Sequence, residues 1–166
     1  APLGDDNEPT LTAPAGVPDI ECFYQNFGAI CEVTMLTGRD QWFNEGQPVM
    51  RHLRDFEDSH SEHENYCLFV APTLHRDTLN TFWMSVKHEY EGRKQKIVPL
   101  TIRQLIHLLE GVKEARDANY KVCSADMRQL YDACTTLDGV PDSTAWTTHV
   151  EAQLKAWHSR VTAPVS

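Results

Sequence analysis

The residues best suited to chemistry lie between Pro18 and His52: Asp19, Glu32 and Glu45, each thirteen positions after the last, and His52 itself. Carboxylate oxygens are the ligands a hard divalent cation takes. Ile20, Cys22 and Tyr24 alternate with Asp19, Glu21 and Phe23, which reads as a strand. The apolar run Ile30 to Val33, broken by Glu32, reads as a second strand, and Gln25-Asn26-Phe27-Gly28 as the hairpin turn between them. Folded there, the chain brings Asp19 and Glu32 within a residue or two of being cross-strand neighbours, able to share one face. Like charges side by side repel, so this arrangement implies a cation between them.

The elements that must position these groups follow from the rest of the pattern. Gly38-Arg39-Asp40 reads as a loop, and Pro48 as a first-turn proline, so a helix is expected from Gly46 or Gln47 to about Glu57. Glu45 then stands at the helix entrance, with His52 about two turns on. Asp58 to Asn65 is a polar loop; its His60 and His63 are better explained by solvation than by metal. Tyr66 to Ala71 reads as a strand buried on both faces, Thr73 to Tyr90 as a helix, and Ile97 to Leu100 as a strand ending at Pro99. Thr101 caps a helix that Gly111 ends. Ser124 to Leu137, with Ser124 as its cap, and Ser143 to Val161 complete a helical C-terminal part. Trp83, Trp146 and Trp157 fall on helical stripes as core residues. The expected fold is α/β, a mixed sheet of about four or five strands flanked by helices, with residues 1–16 irregular and 17–166 the working domain. A domain that passes straight from irregular chain into such a hairpin is expected to be a fragment or to lack an N-terminal helix.

With 166 residues, 41% hydrophobic and 23% charged, the chain is an ordinary globular protein. It has no apolar run of the roughly 18 residues that spans a membrane. A net charge of −9 argues against independent tight binding of nucleic acid, though not against a catalytic domain that a partner delivers to DNA. The five cysteines, at 22, 31, 67, 123 and 134, form no CxxC pair and read as reduced, structural thiols, pointing to the cytoplasm.

Glu32 is the most informative acid. An ionised carboxylate in a run as apolar as Ala29 to Thr34 costs several kcal/mol unless it is paired. Arg39, Arg51 or a cation shared with Asp19 are the partners within reach, and spacing does not choose among them. Pro18-Asp19 followed by Glu32-Val33-Thr34 resembles the PD-(D/E)xK nuclease superfamily. Glu45-Gly46 and Val49-Met50-Arg51-His52-Leu53 extend the likeness to type IIS restriction endonuclease cleavage domains of the AlwI kind, and to the small subunits of heterodimeric type IIS enzymes. It continues through the later strands and helices, over about Gly16 to Trp157.

The resemblance implies a DNA endonuclease in which Asp19 and Glu32 hold Mg²⁺, with Mn²⁺ able to substitute. Glu45 would bind metal or orient the attacking water, and His52 would position a phosphate or a water. Double-stranded DNA would be the substrate, brought by a large recognition or nicking subunit or a second nuclease domain. Thr34 stands where the superfamily usually has lysine, a departure the AlwI-like branch shares. Glu45, His52 or a second metal ion is left to activate the water. The rival expectation is a catalytically silent interaction subunit whose acids pair with Arg39 or Arg51; a resolvase-like or repair nuclease is a third. Gln41 and Arg39 are loop residues within reach of a phosphate.

Overall fold

The computed structural model describes residues 10–11 and 17–163. Ten elements run in the order β1 (Thr10–Leu11), β2 (Ile20–Phe23), β3 (Phe27–Val33), α1 (Gly38–Ser59), β4 (Glu64–Ala71), α2 (Arg76–Lys87), β5 (Ile97–Thr101), α3 (Ile102–Asp117), α4 (Ser124–Thr135) and α5 (Ser143–Val161). The strands form one mixed sheet in the order β1-β2-β3-β4-β5. β1, β2 and β3 pair antiparallel, then β3, β4 and β5 pair parallel through the crossover helices α1 and α2. This is the α/β architecture expected. Thr10 and Leu11, within the segment expected to be irregular, form the edge strand β1; the rest of residues 1–16 falls outside the described residues.

The two faces of the sheet follow from side-chain alternation. On one face Phe27, Tyr66 and Tyr131 of α4 meet edge to face or tilted at 5.5–6.3 Å. On the other, Phe23 meets Phe56 of α1 at 5.8 Å and Phe69 meets Phe82 of α2 at 5.0 Å. Trp146 and Trp157 are buried as expected, and Trp83 packs half-buried against the core. All five cysteines are free, and Cys22, Cys31, Cys67 and Cys134 are buried. Among the described residues no helix is long and apolar enough to cross a membrane.

Several boundaries differ from the sequence expectation, each for a physical reason. Phe27 and Gly28 belong to β3, so the hairpin turns on Tyr24–Asn26, closed by Tyr24 N–H donating to the Phe27 carbonyl at 2.9 Å. α1 begins at Gly38, not near Gly46, and runs for 22 residues with Pro48 inside it. Proline there removes the hydrogen bond to the Asn44 carbonyl and crowds that carbonyl, a cost of about 3 kcal/mol that contacts from outside the helix must offset. The first turns are held from outside the helix: the Gln41 amide binds two loops, and Trp42 Nε1–H donates to Thr81 Oγ1 of α2 at 3.1 Å. Helix α2 is shorter than expected at both ends. Pro99 lies inside β5 rather than ending it, which an edge strand tolerates because only one side of it pairs. Gly111 is inside α3, where a Cβ would lie 2.6 Å from His158 Cδ2 of α5; it permits close helix packing and is not a stop signal. Cys123, not Ser124, is the N-cap residue of α4.

Candidate active site

The hairpin register pairs Ile20 with Cys31, which sets Asp19 opposite Glu32 one step further along. Both lie on the face that α1 covers, at the end of β3 where the parallel strands finish, the side of an open α/β sheet on which ligands gather. Val33 N–H donates to Asp19 Oδ2 at 2.8 Å, so the Asp19 carboxylate is bound to the strand that carries Glu32. Glu32 is buried, 6% exposed. Its Oε1 is hydrogen-bonded to His52 Nδ1 at 2.8 Å. Burial pushes the Glu32 carboxyl up to about 7; the bond and charge of His52 draw it down, while the charges of Asp19 and Glu45 push it further up.

The partner of Glu32 is thus His52, twenty positions away, and neither Arg39 nor Arg51, both of which are exposed. Nothing in sequence spacing announced that pair, because no periodic signal connects a strand residue to one face of the following helix. Glu45 is half-buried within α1, two turns before His52 and on the same side of the helix, not at a helix entrance. Thr34 is buried, and its Oγ1 accepts from Leu36 N–H at 3.1 Å. The hydroxyl in the position of the usual lysine therefore builds the turn that leaves β3. Gln41, expected on a loop near a phosphate, is fully buried instead. His60 hydrogen-bonds the Phe56 carbonyl through Nδ1 and stacks on Phe56 at 4.4 Å, an end-of-helix role and not a metal site.

The donor set fits Mg²⁺ in a limited way. Asp19 uses Oδ2 and Glu32 uses Oε1 within the protein, which leaves each a second oxygen to offer. Among the described residues no three of His, Cys, Asp and Glu form a ready cluster for a metal ion. Mg²⁺ commonly takes one or two carboxylates and keeps waters in its other positions, so a pair suffices. A concavity of about 820 Å³ between α3 and α5 lies away from the acids. An open edge is nonetheless the shape a rigid duplex can approach, and the perturbed carboxyl weighs more than cavity size here.

The family model of the AlwI restriction endonucleases matches residues 2–108 of the chain, a span containing Asp19, Glu32, Glu45 and His52. A comparison with curated proteins finds no match. Among solved structures, the small subunit (R.BspD6I2) of the heterodimeric restriction endonuclease R.BspD6I superposes with a TM-score of 0.71 at 22% identity, covering 90% of this chain and 75% of that one. That likeness shows a shared fold. Because the family model spans well over half of its length, this chain belongs to the AlwI restriction endonuclease family.

Proposed function

We propose that this chain is a metal-dependent DNA endonuclease subunit that hydrolyses one phosphodiester per copy. The observation that carries this reading is the pair Asp19–Glu32, two acids facing each other at the end of the sheet with the buried one pushed up to about 7. An acid so placed is a group in which burial and two like charges outweigh its one favourable neighbour, His52, and a divalent cation is the further partner that two carboxylates select. Mg²⁺ bound there would polarise the phosphate and lower the pKa of a water. His52, through Nδ1, fixes the orientation of the Glu32 carboxylate and leaves its second oxygen to offer. Asp19, tied to the Val33 amide, holds the strand end and its own free oxygen in one position. Glu45, on the His52 side of α1 and close enough for its charge to act on Glu32, would bind the metal or orient the attacking water.

A net charge of −9 gives the chain little affinity of its own for DNA, so a recognition subunit or a second nuclease domain would bring the duplex. Two such centres would be needed to cut both strands. The rival, a catalytically silent subunit, is favoured by Thr34 in the lysine position and by the lack of a third converging ligand among the described residues. Supercoiled plasmid incubated with Mg²⁺ or Mn²⁺ separates the two. The endonuclease reading expects slow nicking that the Glu32→Ala variant abolishes, and Mn²⁺ binding detected by paramagnetic resonance in the wild type only. Equal nicking by both proteins, or no Mn²⁺ bound at all, favours the silent subunit.

A further inference from the structure

A fully buried glutamine stands at the start of α1, where a surface helix would ordinarily carry a solvated one. Its amide is satisfied three times, always by backbone outside its own helix. Gln41 Nε2 donates to the Leu36 carbonyl at 3.0 Å and to the Thr73 carbonyl at 2.7 Å, and Oε1 accepts from His75 N–H at 2.8 Å. One side chain thereby joins the connection that follows β3 to the connection that follows β4. The first of these is also bound to the acids. Val33 N–H donates to Asp19, Thr34 N–H to the Val70 carbonyl at 3.0 Å, and Leu36 N–H to Thr34 Oγ1. Hydrogen bonds and the peptide link from Val33 to Thr34 therefore connect the Asp19 carboxylate to His75.

The two connections and the helix starts beside them carry exposed side chains; among the described residues Arg76 pairs only with the neighbouring Asp77, at 3.5 Å. Met35 is 74% and Phe43 78% exposed, and Arg39 and Arg76 are exposed cations in the first turns of α1 and α2. Arginines engage phosphates, and large apolar side chains pack against sugars and base steps. We propose that Gln41 is a positioning residue that locks the two connections into one ledge beside the carboxylates, and that the DNA strand rests on this ledge. The second half rests on the nuclease reading; the first half stands without it.

The test uses the shape-matched Gln41→Met variant, which fills the site but makes none of the three bonds. Amide hydrogen exchange of the metal-free protein should show residues 34–37 and 73–76 losing protection together, by about tenfold or more, while β3 and β4 keep theirs. Protection kept in both connections, or lost in one only, overturns the lock. A short duplex added at low salt with Ca²⁺, which does not support cleavage, should then protect both connections of the wild type but not of the variant. Protection confined elsewhere, or none, overturns the seat. Mn²⁺ affinity should stay within about threefold of the wild type, because Asp19 and Glu32 keep their own bonds; a larger loss makes Gln41 a general support of the fold instead. Plasmid nicking by the wild type and Glu32→Ala reports on the nuclease reading alone, so its failure is told apart from failure of the ledge.

Discussion

Two carboxyls of this protein, the buried Glu32 beside α1 and the half-buried Glu57 on it, are both pushed up to about 7, yet their surroundings differ in kind. Burial is the leading cause for Glu57 as for Glu32. Glu57 receives Arg54 Nη1–H at 2.6 Å, and Nη2 of that guanidinium donates to the carbonyls of Tyr90 and Arg93, with Arg93 in turn bound to Asp58. Two arginines answer the acid against the like charges of Asp58 and Glu64, and loop backbone answers the cation. Glu32 has one histidine, and its other charged neighbours are the acids Asp19 and Glu45. A closed network of the first kind is structural. The second kind is left electrostatically open, and under the proposed nuclease reading a cation from solution would close it. The lesson is that a perturbed carboxyl points to function when its neighbours share its charge, and to scaffolding when they oppose it.

The strongest way to break that comparison is to neutralise Glu32 without changing its shape. Glu32→Gln should lower metal-dependent nicking about 10³-fold, of the size seen when an electrostatic group of a transition state is removed. The same variant should melt several degrees higher than the wild type at pH 8 without metal, since ionising Glu32 inside the fold costs roughly 3 kcal/mol there. A variant that loses both activity and stability would put Glu32 in the scaffold class. Arg54→Met asks the converse. Removing one partner of a buried pair costs about 3–5 kcal/mol, so urea denaturation should show a loss of that order, with Mn²⁺ affinity of the folded protein unchanged.

How much of this was legible in the sequence depended on range. The opposition of Asp19 and Glu32 was readable because a strand has a period of two and the turn between them is short. The strand Tyr66 to Ala71, which starts two residues earlier at Glu64, the Thr101 cap and the helix from Ser143 to Val161 carried local signals and formed where expected. The beginning of α1 did not, because Trp42, Phe43 and Gly46 make no apolar stripe and Pro48 imitates a first turn. What holds that stretch is tertiary: Gln41 to two loops and Trp42 to Thr81. The His52–Glu32 bond and the Arg54–Tyr90 contact are likewise products of the assembled fold, and no spacing rule reaches them.

Acidity separates the two carboxyls more finely. For both, the folded form holds its proton more tightly than the unfolded chain, whose carboxyls titrate near the ordinary value of 4.5. The stability this provides is whole below that value, fades as pH rises towards 7, and is gone above it. The metal-free protein should therefore lose stability between pH 5 and pH 8, by at most roughly 3 kcal/mol for each group. Millimolar Mg²⁺ at pH 8 should restore the share of Glu32 and leave that of Glu57 untouched. Urea midpoints at both pH values, in wild type and Glu32→Gln, decide the matter; the same Mg²⁺ gain in the variant would place the ion elsewhere.

The smallest expected effect comes from a site where neither charge nor metal is involved, and it calibrates the other measurements. Gly111→Ala would bring a Cβ to 2.6 Å from His158 Cδ2 and 3.3 Å from Trp157 Cζ3. His158 is partly exposed and can swing away, giving up its 3.0 Å contact with Glu114, an exposed pair of small worth. Trp157 cannot, since it is buried and its Nε1–H donates to the Asp126 carbonyl at 3.0 Å. Overpacking of this kind costs about 1–3 kcal/mol, and replacing a mid-helix glycine by alanine returns about 1 kcal/mol. A net loss of about 1 kcal/mol or less is expected in urea denaturation, with Mn²⁺ affinity and nicking at wild-type levels. Because α3 and α5 meet beside β5, far along the sheet from β2 and β3, a change in metal binding from this substitution would mean that stability and the acid pair are coupled through the whole core. In that case the contrast drawn between Glu32 and Glu57 would dissolve, both being parts of one scaffold.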